Sequence, residues 1–184
     1  EKDPRFRPRL EPLDPWSGGR LRLVVGDALA LDPVDLLAAA GVRTDQPVPI
    51  VANLPYNVGT PLLVGWLKDN RGWRGTMTLM FQKEVAQRIC ATVGQSAYGR
   101  LAVLTQAAAQ ARLAFSVPAR AFVPPPKVES AVVQLVPHVA PLGDLRALEQ
   151  VTAAAFGQRR KMLRSSLSPL GGEALLAAAG VEPT

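Results

Sequence analysis

An α/β fold with a mostly parallel sheet and a small helical module behind it is predicted by three features of this 184-residue sequence. Short apolar runs at residues 21–28, 48–52 and 76–81 alternate with stretches of helical spacing, the pattern of βαβ units. Helix punctuation falls between them: Asp32-Pro33 and Thr60-Pro61 each offer a cap followed by proline, and Gly41 offers a stop. From Gly143 the composition turns to Ala, Leu and Arg at helical periodicity. The chain therefore divides into an α/β domain at residues 1–139 and a helical domain at residues 140–184.

In order, residues 21–28 form an apolar strand ending in Gly26-Asp27-Ala28, followed by a helix at 33–40. A second, buried strand at 48–52 runs straight into Asn53-Leu54-Pro55-Tyr56-Asn57. Thr60 caps the next helix, which continues to about Lys68. A third strand at 76–81 leads into a helix from about Lys83 to Ala91. A further helix at 101–110 precedes strands at 112–117 and 128–136. Between those strands, Phe122-Val123-Pro124-Pro125-Pro126-Lys127 is a rigid loop, because proline removes donors and restrains its neighbours. No internal repeat or low-complexity tract interrupts the series. Open α/β sheets bind ligands at the carboxyl ends of their strands. Asp27 and Asn53 both fall at such ends.

Composition narrows the chemistry. No uninterrupted apolar run approaches the roughly 18 residues of a membrane span, and Glu1-Lys2-Asp3-Pro4 does not open a signal peptide. These features lead us to expect a soluble, cytoplasmic protein with no membrane partner. One cysteine excludes an internal disulfide, and one histidine excludes a histidine-rich metal site or a serine triad. Cys90 reads as a small hydrophobe on a helix and His138 as a loop residue. No metal is expected. The net charge of +6, with arginine supplying 16 of the 21 basic residues, favours a polyanionic partner through phosphate contacts. A basic surface also serves solubility alone, so charge by itself does not decide the point.

Asn53-Leu54-Pro55-Tyr56 carries the most specific chemistry. The asparagine offers an amide oxygen as acceptor. Pro55 has no N–H, holds Leu54 extended and fixes the local backbone, so that carbonyls of the turn face the cleft. Tyr56 adds a flat ring, and stacking a base on an aromatic side chain contributes about 1–3 kcal/mol. An exocyclic adenine amine is a poor nucleophile because its lone pair is delocalised. Two acceptors aimed at its hydrogens would hold that nitrogen in line with a methyl donor, and positioning would supply most of the rate. Asn and Pro are also ordinary turn formers, so local chemistry alone leaves a plain turn as the alternative.

Residues 53–62, Asn-Leu-Pro-Tyr-Asn-Val-Gly-Thr-Pro-Leu, closely resemble the catalytic motif of the ribosomal RNA adenine dimethyltransferases. The resemblance continues through Glu1-Lys2-Asp3, Gly26-Asp27-Ala28, Phe81-Gln82-Lys83-Glu84-Val85-Ala86-Gln87-Arg88, Tyr98-Gly99-Arg100-Leu101 and Phe122-Val123-Pro124-Pro125-Pro126-Lys127-Val128-Glu129-Ser130-Ala131-Val132. It implies a Rossmann-like class I methyltransferase fold using S-adenosyl-L-methionine. The subfamily that dimethylates two adjacent adenosines near the 3′ end of small-subunit rRNA fits best, with the pre-30S particle as partner. Gly59-Thr60-Pro61-Leu62 and the triple proline favour it over the resistance-type enzymes that methylate large-subunit rRNA. A non-catalytic ribosome-assembly factor on the same fold is the reading from a different class.

The resemblance also implies roles. Glu1 would accept from the cofactor ribose hydroxyls and Asp27 from its adenine amine, with Lys2, Ala28 and Asn53 beside them. Asn53 and the Leu54 and Pro55 backbone would hold the target amine. Tyr56 and Phe122 would sandwich the target base once it leaves its stack. Such enzymes begin with a strand and Gly-rich loop that no segment of this sequence matches, and their helical module continues further. We therefore expect the N-terminal part of the fold to be missing here and the helical domain to be incomplete. Finally, Arg159, Arg160, Lys161 and Arg164 form a basic stretch that is expected to start a helix and contact RNA. There Arg160 and Arg164 would share a face while Met162, Leu163 and Leu167 pack inward.

Overall fold

The computed structural model describes residues 1–43, 45–158 and 160–182. Two four-residue helices, α1 (Arg7–Leu10) and α2 (Leu13–Trp16), precede α3 (Pro33–Ala39). The remainder runs β1 (Val48–Asn53), α4 (Gly59–Lys68), β2 (Arg74–Gln82), α5 (Lys83–Cys90), α6 (Arg100–Ala108), β3 (Ala109–Val117), β4 (Ser130–Pro137), α7 (Leu145–Gly157), α8 (Leu163–Ser166) and α9 (Gly172–Ala178). Short 3-10 turns at Ala119–Ala121 and Ser168–Leu170 complete the series.

The α/β class is borne out, and the sheet is mixed. Its order is β1-β2-β4-β3, with β1 and β2 parallel and both other pairings antiparallel. A parallel majority is therefore not present among the described residues. The reason is connectivity: α6 passes into β3 with no intervening loop, so β3 and β4 return as an antiparallel pair. The same pairing explains why α6 stops at Ala108 rather than 110. Ala109 and Gln110 are claimed by Pro137 and Val136 on β4, and tertiary pairing overrides alanine's helix propensity.

Two strand expectations need correction. Residues 21–28 are not a strand. Their backbone makes one parallel rung instead, where the Glu1 amine donates to the Val24 carbonyl at 2.8 Å and the Gly26 N–H donates to the Glu1 carbonyl at 2.9 Å. A single rung is too short for a ladder. Nor is β1 buried on both faces: it lies at a sheet edge, Ile50 and Ala52 pack on the core, and Val51 on the other face is 81% exposed.

The core lies between one face of the sheet and the helices. Met77, Leu79 and Phe81 of β2 and Ala131, Val133 and Leu135 of β4 alternate inward, as a period of two requires. Leu63 and Leu67 of α4, Ala86 and Ile89 of α5, Ala107 and Ala108 of α6 and Leu145 of α7 meet them. Cys90 is half-buried against this core, and burial raises its thiol pKa. His138 is an exposed loop residue whose Nε2 lies 3.0 Å from the Gln106 carbonyl.

Helix ends follow local chemistry. The Asp32 carboxylate accepts the Val34 and Asp35 N–H groups at 2.8 and 3.3 Å and caps α3. At its other end Gly41, at φ +72°, donates to Ala38 while Val42 donates to Leu37, a closing pair that requires a left-handed residue. Thr60 does not cap α4. The helix begins one residue earlier, because the Pro55 carbonyl already accepts the Val58 and Gly59 N–H groups at 3.1 and 3.0 Å.

The loop between α4 and β2 is braced by charge. Asp69 accepts from the Arg71 guanidinium at 2.6 Å and from Trp73 Nε1 at 2.8 Å, and Arg71 reaches back to Asp32 at 2.9 Å. The Arg71 hydrogen bonds hold the Asp69 carboxyl well below the ordinary carboxylate range, against an opposing contribution from burial.

Replacing Leu79, wholly buried in the central strand, by alanine is expected to cost about 2–5 kcal/mol in chemical denaturation. Asp69 has a depressed folded pKa, so its contribution is fully present above an unfolded pKa of about 4 and is lost as pH falls through the folded value. Asp69→Asn should lower the melting temperature at neutral pH and flatten its decline between about pH 4 and pH 2. An unchanged acid limb would count against this brace.

Candidate functional site

The site grows from the carboxyl end of β1. Asn53 is the last residue of the strand and pairs with Met80 of β2. It continues the alternation of Pro49 and Val51, so its side chain is exposed on the open face, with no hydrogen bond among the described residues. Leu54 turns the other way into the core at 7% exposure and anchors the turn. The chain can then wind into α4 only because residue 59 is glycine. A Cβ there would lie 3.2 Å from the Phe81 ring and 3.3 Å from Leu54 Cβ.

This arrangement sorts the acceptors of the turn. The Pro55 carbonyl is engaged by two backbone donors, so it starts α4 and does not face a ligand. That corrects the expectation that both turn carbonyls are free. The Leu54 carbonyl accepts no hydrogen bond among the described residues, and it stands next to the Asn53 amide. Two acceptors thus remain at the strand end: one side-chain oxygen and one carbonyl.

Tyr56 is 47% exposed, and its hydroxyl lies 3.2 Å from the Ser130 hydroxyl, which is itself buried. The hydrogen bond fixes the ring orientation while leaving ring surface in solvent. Ser130 opens β4 and pairs with Gln82 at the end of β2. One residue on, the Lys83 N–H donates to the Glu129 carbonyl at 2.9 Å and the Lys83 ammonium meets the Glu129 carboxylate at 2.6 Å. Three segments distant in sequence, 53–59, 81–83 and 129–131, are therefore joined at one end of the sheet. Phe122 is half-buried in the loop just before, after the 3-10 turn, and makes no ring contact with Tyr56 among the described residues.

The acidic pair lies on the neighbouring segment. Asp27 accepts the Leu29 N–H at 3.0 Å and the Lys2 ammonium at 2.6 Å, and this Lys2 bond lowers its pKa. Glu1 accepts the Asp3 N–H at 2.8 Å through Oε1. The Glu1–Val24–Gly26 rung holds the Glu1 backbone beside residues 24–26, directly before Asp27 and Ala28. A carboxylate to accept from a diol and another to accept from an exocyclic amine form an acceptor set that fits a nucleoside. Lys2 is 74% exposed, so its ammonium can move into water when a ligand amine takes its place.

Sequence reasoning missed a cleft of about 490 Å³ at the start of α4. Thr60 and Pro61, Arg88 of α5, Gly99 and Arg100 at the start of α6, and Glu149 of α7 line it. Glu149 accepts from Lys68 at 2.6 Å and Arg100 at 2.7 Å, and the Lys68 bond chiefly lowers its pKa. The signal in the sequence was the pair of motifs that contain Arg88 and Arg100, whose meeting depends on the fold.

The basic stretch behaves differently from expectation. Arg159 lies outside the described residues. Arg160 and Lys161 are exposed in a turn, closed by the Lys161 N–H to the Gln158 carbonyl at 2.8 Å, and α8 begins only at Leu163. Arg160 and Arg164 therefore share no helix face, because α7 ends at Gly157 and α8 begins only at Leu163. Met162 is 44% exposed rather than packed inward, whereas Leu167 is buried. Among the described residues no group of three metal-binding side chains occurs, and no helix is long and apolar enough to cross a membrane.

Comparison with known proteins agrees with this geometry. Residues 1–182 match the family model of ribosomal RNA adenine dimethylase. The chain is 58% identical to the ribosomal RNA small subunit methyltransferase A of Phenylobacterium zucineum, and 55% identical to the proteins of that name from Mesorhizobium japonicum and Gluconobacter oxydans. All of this chain is aligned in each, against 62%, 67% and 59% of their own lengths, so it spans about three fifths to two thirds of the curated relatives it matches. In structure it resembles a dimethyladenosine transferase from Plasmodium falciparum, with a TM-score of 0.69 and 23% identity over 100% of this chain and 66% of that one. It also resembles a 23S rRNA methyltransferase, with a TM-score of 0.63 and 26% identity over 100% of this chain and 72% of the other. By the family match, the sequence identity and the strand-end site, this chain belongs to the ribosomal RNA adenine dimethylase family.

Proposed function

We propose that this chain carries the target-adenine half of an S-adenosyl-L-methionine-dependent methyltransferase that dimethylates the N6 of two adjacent adenosines near the 3′ end of small-subunit rRNA. The observation that carries the reading is the strand end itself: an unbonded Asn53 amide and Leu54 carbonyl beside a half-exposed Tyr56 ring held by Ser130. A flat base seats on Tyr56, and its amine donates one hydrogen to Asn53 Oδ1 and the other to the Leu54 carbonyl. This restrains the nitrogen lone pair toward the methyl donor, so the rate comes from positioning. Phe122 closes on the second face of the base.

The cofactor supplies an electrophilic methyl group on sulfur. The amine held by Asn53 and the Leu54 carbonyl would accept that methyl group and release one proton to solvent. Repetition on the same nitrogen gives the dimethylated product. Glu1 and Asp27 hold the nucleoside end of the cofactor, with Lys2 and Ala28 at its edge and Asn53 next to the transferred group. No strong base is required, in keeping with a turn that holds neither histidine nor cysteine.

The RNA is held by charge. Arg160, Lys161 and Arg164 are exposed in the helical domain, residues 140–184, and serve as phosphate contacts for the pre-30S particle, together with Arg159. Arg88 and Arg100 line the cleft next to the catalytic turn and extend the same track. The small subunit is preferred over the large because the 55–58% identical relatives bear the small-subunit name, whereas the likeness to the 23S rRNA enzyme is at 26%. Such a substrate places the protein in the cytoplasm.

In the intact protein, Asn53→Ala should abolish transfer of labelled methyl groups to under-methylated small subunits, with particle affinity changed by less than about twofold. Activity surviving that substitution would sink the assignment. Asp27→Asn is expected to weaken S-adenosyl-L-methionine binding about tenfold by calorimetry, the worth of one charge-assisted hydrogen bond. Unchanged affinity would remove Asp27 from the cofactor site.

A further inference from the structure

At the opposite end of the sheet from Asn53, where β2 begins, the loop after α4 and the segment leading into α7 enclose a cavity of about 660 Å³. Lys68, Asp69, Asn70, Arg74, Asp144 and Arg146 supply its polar lining and Leu67 lines it as well. We propose that this cavity is a binding site for a phosphate group, held by Arg74 and Arg146.

The first observation is Arg74. It is only 8% exposed, yet no carboxylate binds its guanidinium among the described residues. Its Nη1 donates to the Asp69 carbonyl, and its Nε is buried with no partner among the described residues. The nearby Asp69 carboxylate is taken by Arg71 and Trp73. Burial depresses the Arg74 pKa, and the nearby Asp69 charge offsets that only in part. Burying a cation without a bound counter-charge is costly, so a site built this way is completed by an anion.

The second observation is the local charge balance. Asp32 and Asp69 are paired with Arg71, and Glu149 with Lys68 and Arg100. Asp144 accepts the Arg146 N–H and caps α7. The Arg146 side chain has no ion pair among the described residues. Two guanidinium groups thus remain for one cavity. Guanidinium geometry matches the oxygens of phosphate, two at a time. The amino end of the 13-residue α7 adds its partial positive charge. The volume exceeds what a bare phosphate fills and falls within the range of nucleotide-sized ligand sites. The group is therefore either a phosphodiester of bound RNA or the phosphate of a free ion or nucleotide.

This assignment is independent of the catalytic reading, except that its RNA arm uses the small-subunit particle as ligand. Thermal denaturation of the intact protein, in inorganic phosphate and in chloride at equal ionic strength, tests it. Phosphate should raise the melting temperature of the wild type in a saturable way. Arg146→Gln, an exposed position that should not disturb folding, should weaken phosphate binding about tenfold, and Arg74→Met should abolish the shift. If RNA supplies the group, Arg146→Gln also reduces the slope of log affinity against log salt for particle binding by about one. If that slope is unchanged while the phosphate shift is lost, the ligand is a free phosphate compound. The proposal is overturned if phosphate stabilises no more than chloride and the slope is unaltered. It is equally overturned if both variants keep the full phosphate shift. A wild-type protein that transfers no methyl groups would fail the catalytic reading and leave this result standing.

Discussion

Met77, Leu79 and Phe81 point inward from β2, the strand flanked by parallel β1 on one side and antiparallel β4 on the other, and everything at the site depends on that double pairing. Parallel pairing brings the end of β1, with Asn53, level with the end of β2. Antiparallel pairing brings the start of β4 to the same place. Ser130 can therefore bind the Tyr56 hydroxyl although 74 residues separate them. A slip of one residue in either ladder would turn Phe81 out of the core and carry Ser130 to the wrong face.

The catalytic turn is held by packing more than by polar bonds. Leu54 is buried against Phe81 and the start of α4, and Gly59 admits that close approach. Pro55 uses its carbonyl to begin the helix. The turn is thus rigid, while its two remaining acceptors stay unbonded. Pre-set acceptors need no reorganisation when an amine arrives, which is how the proposed site would gain rate with no strong base.

Two ion-pair chains brace the helices beside the sheet. Asp32, Arg71 and Asp69 form one chain, and Lys68, Glu149 and Arg100 another that ties α7 to α4 and α6. Arg160, Lys161 and Arg164 around the start of α8, and Arg74 and Arg146 at the cavity, have no carboxylate partner among the described residues, and these are the positions at which the proposed polyanion would be held.

By itself the sequence determined the alternation of strands and helices, the Asp32 and Gly41 ends of α3, and the strand-end position of Asn53-Leu54-Pro55-Tyr56. Each rests on local rules: apolar period, capping and the proline donor deficit. The family was legible too, because its motifs are contiguous. Tertiary structure alone decided the mixed sheet, the loss of a strand at 21–28 and the early end of α6. Strand pairing is a long-range choice that overrides residue propensity. It also decided that Pro55 spends its carbonyl on a helix, that Arg160 and Arg164 part company, and that Arg74 sits buried without a carboxylate. Those outcomes depend on which donors, acceptors and charges the fold brings within a few ångströms, and no local pattern records that.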